Sequence, residues 1–125
     1  MSELRADTIT ASDGTSPVTL TKQEAAKAWI NYDGTSAGAV STWARDSLNM
    51  SVITDSGNGN HTVGFTSNMS NANYAPQMAA TDNTAVGAEQ ASDITTSSIK
   101  IRTHNLSGSG TDRDYTGAAV FGDLA

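Results

Sequence analysis

Apolar residues return at intervals of two along much of this chain, in short runs separated by Gly, Asn, Asp and Ser. That period places alternate side chains on opposite faces of a β-strand. The cleanest case is Ser97–Thr103, SSIKIRT, with Ile99 and Ile101 on one face and Lys100 and Arg102 on the other. In Ala28–Tyr32, AWINY, Ile30 and Tyr32 share a face and Trp29 takes the other. A run from Val40 to Arg45 sets Val40 opposite Trp43. Two further runs, Leu48–Thr54 and His61–Thr66, flank Asp55–Asn60, DSGNGN, whose Asn-Gly step favours a tight hairpin turn. In the second of these Val63 and Phe65 share one face, Gly64 and Thr66 the other. A closing strand, Tyr115–Phe121, sets Tyr115, Gly117, Ala119 and Phe121 together.

The remaining stretches are less regular. Thr21–Ala28 is the one helix-like segment: Thr21 as cap and Glu24 three residues on make a capping box, enough for a single turn leading into the first main strand. Pro76, inside the extended Tyr74–Ala80 run, argues for a sheet edge or a bulge. Thr81–Asp93 has no period and reads as a long loop with a short helical turn around Ala88–Ala91. Asn105–Asp112 reads as a Gly/Ser loop. The expected fold is all-β, a small antiparallel β-sandwich or jelly-roll-like domain of about seven or eight short strands. Residues 21–125 form that single β domain. Residues 1–20 are too poor in apolar side chains to fold alone and suit an attachment or docking segment, with Leu4, Ile9, Val18 and Leu20 as its contacts.

Composition sharpens this picture. A chain of 125 residues is one domain's worth, but only 37% of it is hydrophobic and much of that is alanine, so a monomer builds a thin core. Small domains in that position lean on disulfides, metals or oligomerisation. Cysteine is absent and no His/Asp/Glu set has metal-ligand spacing, which leaves oligomerisation. Ser, Thr and Asn make up about a third of the chain, a share compatible with disorder or with hydroxyl-rich strand faces. The regular return of Val, Ile, Trp, Tyr and Phe favours strands.

Charge excludes some partners. Lys+Arg number 7 against 13 Asp+Glu, for a net charge of -6, with no basic run to track a phosphate backbone. Nucleic acid and an anionic membrane surface are both disfavoured. No stretch approaches the roughly 18 apolar residues of a membrane span. Met1–Thr10 lacks the apolar core of a secretory signal peptide.

Chemistry has few candidates. Asp55–Asn60 offers oxygens in a Gly-rich setting but lacks the length and closing Glu of a calcium loop, so a turn is the better reading. Asp112 and Asp114 flank Arg113 and read as solvated charge rather than a hydrolytic pair; Glu89 and Asp93 have no base or nucleophile beside them. His61 and His104 lack partner ligands in sequence, leaving only a site shared across a three-fold axis. No G-x-S-x-G or G-x-G-x-x-G motif occurs. Asn49, Asn60, Asn68 and Asn105 head N-x-S/T triplets, which follow from the abundance of these residues. No cofactor is expected. Trp29, Tyr32, Trp43, Tyr74 and Phe121 could supply a subunit interface or stack on a glycan, but as members of strand-like runs they fit core or interface positions better.

The middle of the chain also resembles a known module. Lys27-Ala28-Trp29-Ile30-Asn31-Tyr32-Asp33-Gly34-Thr35, Arg45-Asp46-Ser47, Ser51 to Val63 (SVITDSGNGNHTV), Phe65-Thr66 and Asn71-Ala72-Asn73-Tyr74 are similar to a pattern in tail-fibre-like and other virion surface proteins of bacteriophages, marine ones especially. Leu4–Ile9 and Ala119–Gly122 are similar to the start and end of such proteins. Tyr32 and Asp33 stand where that pattern has Phe and Asn, Asn60-His61 where it has Asp-Tyr, and SAGAVSTWA is insertion-like. The resemblance implies a non-enzymatic virion component, a homotrimer, assembled in the bacterial cytoplasm. Its partners would be other virion proteins, reached through residues 1–20, and perhaps-stacking aromatics would meet a host-surface glycan only in the alternative role of a carbohydrate- or receptor-binding module.

Overall fold

The computed structural model describes residues 25–36, 43–82, 84–88 and 90–125. The docking segment with Leu4, Ile9, Val18 and Leu20, the capping box at Thr21, and Val40 all lie outside the described residues. Eight strands are described: β1 (Ala28–Tyr32), β2 (Ala44–Leu48), β3 (Met50–Asp55), β4 (Asn60–Phe65), β5 (Ala75–Ala80), β6 (Thr84–Gly87), β7 (Ser98–Asn105) and β8 (Thr116–Phe121). They form two four-stranded antiparallel sheets, β2-β1-β8-β5 and β3-β4-β7-β6. The expected β-sandwich is the observed fold.

Strand alternation explains the burial. β1 buries Ala28, Ile30 and Tyr32, and its neighbour β8 buries Thr116, Ala118 and Val120. From the opposite sheet Ile53, His61, Val63, Phe65, Ile99, Ile101 and Thr103 point inward. Trp43, Met69 and Tyr74, from connections, complete the core. In β8 the heavier alternate set faces outward, because the inner face of this sheet meets the branched side chains of the other and has room for little more than Ala and Thr.

Three boundaries differ from the sequence reading. Leu48–Thr54 is not one strand: Asn49, at φ 55, turns the chain from the first sheet into the second. Its side chain holds the corner, accepting from Ser67 N at 2.7 Å and donating to Ser67 O at 3.0 Å. Asn tolerates this left-handed conformation better than most residues. The second run is strand only from Ala44 onward. Residues 81–93 are not one loop, since β6 pairs Thr84–Gly87 with β7 and a 3-10 turn occupies Ala91–Asp93. Backbone pairing overrode a stretch with no hydrophobic period. Pro76 does lie on an edge strand, β5.

Candidate interaction surface and buried polar cluster

Residues directly opposite in an antiparallel pair share a face. Across the first sheet the pairing sets Leu48, Trp29, Ala119 and Gln77 in one outer row. The next outer row is Asp46, Asn31, Gly117 and Ala79, followed on the other side by Phe121 and Ala75. Leu48 is 48% exposed and Tyr115, at the head of β8, 44%. The strands β1, β5 and β8 carry no charged residue; β2 carries Arg45 and Asp46 alone. Arg45 sits 3.7 Å from Asp33 Oδ2 and 5.7 Å from the Tyr115 ring centroid, so its charge is engaged within the chain. Between β5 and β8 a shallow groove of about 260 Å³ opens, lined by Gln77–Ala79 and Gly117–Ala119.

The five aromatic candidates separate in space. Tyr32, Trp43 and Tyr74 are buried in the core and off the surface. Trp29 and Phe121 are half-buried on the outer sheet face. The Tyr74 hydroxyl lies 3.0 Å from Thr95 O and 3.1 Å from Ser98 O, and burial pushes its pKa up to about 12. It is a fastener between the β4–β5 connection and β7.

One end of the sandwich holds a polar cluster inside the core. His61, only 1% exposed, packs edge-on against the rings of Tyr32 and Trp43, each at 5.4 Å between centroids. The Tyr32 hydroxyl is 3.3 Å from His61 Nδ1, and Asp112 Oδ1 is 3.8 Å from Nε2. Nε2 makes no hydrogen bond within the protein. Burial holds the imidazole below its usual pKa, against the opposing pull of Asp112 and Asp55, and burial raises the Tyr32 phenol. The neutral imidazole is therefore the form this interior accepts. Sequence reading missed this cluster because Tyr32, Trp43, His61 and Asp112 are far apart in the chain; the alternation that puts His61 on the inner face with Val63 was its one available signal.

The acidic candidates disperse. Asp112 accepts from Gly59 N, Arg113 pairs with Asp82 at 3.2 Å, and Asp114 accepts from the Thr81 hydroxyl at 2.9 Å. Asp93 Oδ2 accepts from Gln90 N at the 3-10 turn. Asp55 closes its own turn by accepting from Gly57 N at 2.8 Å. Each carboxylate fastens backbone or a neighbouring loop, and no two of these face a common cleft. His104 lies on β7, apart from His61. Among the described residues no group of three or more His, Asp or Glu could hold a metal, and no helix is long and apolar enough to cross a membrane. Comparison with protein-family models, curated proteins and solved structures finds no match.

Proposed function

We propose that this chain is a non-enzymatic structural component of a bacteriophage virion: a short trimeric fibre, knob or decoration protein on a tail, neck or head surface. The observation that carries the reading is where the phage-like residues fall. They map onto β1, the β3–β4 hairpin and Tyr74, and among them Ala28, Ile30, Tyr32, Ile53, His61, Val63, Phe65 and Tyr74 are buried. The resemblance is thus one of framework, and a framework role is what it supports. An uncharged outer sheet face adds to it, since assembly favours surfaces that lose little on desolvation.

In this reading residues 1–20 dock on other virion proteins. Gradient-purified particles from the source phage, labelled with antibody to this chain, test it: label on the particle surface is expected. Recovery of the chain only in the soluble lysate overturns it. Carbohydrate or receptor binding is the second reading, supported by Trp29, Tyr115 and Phe121 on one sheet face. Titration with host surface polysaccharide, followed by tryptophan emission, tests that role.

A further inference from the structure

The first sheet is built inside out for a solvated surface. Its inner face carries Ala28, Thr116 and Ala118 beside the larger Ile30, Tyr32 and Val120, while Trp29, Leu48 and Phe121 face outward. An antiparallel sheet with one wet face shows polar side chains there. The second sheet obeys that rule: opposite pairs place Thr54, Thr62 and Lys100 in one outer row and Asn60, Arg102 and Gly87 in the next.

We infer that the outer face of the β2-β1-β8-β5 sheet docks on a second copy of this chain, the Leu48–Trp29 ridge of one seating in the Gly117–Ala119–Ala79 groove of the next. The inference rests on the oligomeric part of the reading above and adds the surface that forms the contact. Shape supports it, because bulk lies on the β2 and β1 side and the groove on the β8 and β5 side of the same face. One patch therefore carries both halves of a complementary pair. A ridge-to-groove contact of this kind joins unlike halves, and such head-to-tail contacts close into rings. Charge points to the same occupant. Copies of a chain with net charge -6 repel one another, least where the facing strands carry only the adjacent, opposite charges of Arg45 and Asp46. A strongly charged partner would find no counter-charge here.

Light scattering coupled to size exclusion tests the assignment on the full chain and on two single variants, Leu48→Glu and Ala79→Glu. Both positions are solvent-exposed in the single chain, so neither substitution disturbs its core. The expected wild-type mass is about three times 12.9 kDa, falling to 12.9 kDa in each variant with an unchanged β circular-dichroism spectrum. Thr54→Glu, exposed on the other sheet, keeps the multimer. A multimer that survives both ridge and groove substitutions overturns the face assignment and leaves the oligomeric reading standing. A wild-type mass of 12.9 kDa overturns both. Dilution of the wild type gives a readout independent of variant folding: tryptophan emission shifts to the red as mass falls, because Trp29 becomes wetted while Trp43 stays buried. Dissociation with no spectral shift overturns the assignment.

Discussion

The two sheets of this sandwich place their large apolar side chains in opposite directions. In β3-β4-β7-β6 the aliphatics Ile53, Val63, Ile99 and Ile101 go inward and Thr54, Thr62, Lys100 and Arg102 outward. In β2-β1-β8-β5 much of the inner lining is small, and Trp29, Leu48 and Phe121 sit outside. One sheet therefore supplies most of the core volume, and the other closes the core while presenting an apolar face. The difference teaches that strand alternation locates two faces without saying which is buried. That depends on the sheet opposite.

The largest effect should come from the sheet that fills the core. Ile101→Ala removes a fully buried side chain from a central strand and is expected to cost about 2–5 kcal/mol, read from the denaturation midpoint. Val120→Ala, on the central β8 of the other sheet, removes less volume and should cost less. The reverse order would mean that the first sheet carries the core.

Next comes the joint between the sheets. Gly59 has φ +66, and a Cβ there would meet Thr103 O and Thr111 N. Its N–H donates to Asp112 and its carbonyl accepts from Thr103 N at 2.8 Å, tying the β3–β4 turn to β7 and to the loop leading into β8. Gly59→Ala combines a left-handed conformation, about 1–2 kcal/mol for an L-residue, with that collision. A loss of roughly 2 kcal/mol or more is expected, with the β spectrum retained. A neutral result would show that the joint yields without cost.

His61 makes the joint sensitive to pH. Its folded pKa is depressed, so the neutral form stabilises the fold fully above its unfolded pKa of about 6.5, and stability falls as pH drops below that. Denaturation midpoints taken between about pH 7.5 and 5.5, above the main carboxylate range, should decline in the wild type and flatten in His61→Leu. A midpoint that rises on acidification would mean that Asp112, 3.8 Å away, outweighs burial.

Much of this was legible in sequence, for reasons specific to each segment. SSIKIRT and AWINY alternate cleanly, and β7 and β1 bury the faces so indicated. The Asp55–Asn60 turn announces itself through Asn-Gly, and Pro76 marks an edge because it has no N–H to donate. β8 misleads, since Tyr115 and Phe121 outweigh Thr116, Ala118 and Val120 although the lighter set is buried. β6 is invisible because Thr84–Gly87 has no hydrophobic period and is recruited by the edge of β7. The Asn49 corner falls inside a run whose side chains all suit a strand, and only tertiary contact with Ser67 selects the turn. The His61 cluster, like the outer face of the first sheet, is assembled from strands distant in sequence. No single stretch announces either.

The smallest effect separates the two outer faces most sharply. Lys100 lies opposite Thr62 on the outer face of the second sheet, only partly buried. Its side chain keeps its charged end in water while the stem rests on the strand. Lys100→Ala should therefore change stability by no more than about 0.5 kcal/mol, at any protein concentration. Trp29→Ala, at the matching outward position of the first sheet, should show a loss that grows with protein concentration, because the docked state is what the indole stabilises. If Lys100→Ala also acquires a concentration-dependent loss, both faces are covered in the assembly. The contrast between the sheets would then belong to the single chain alone.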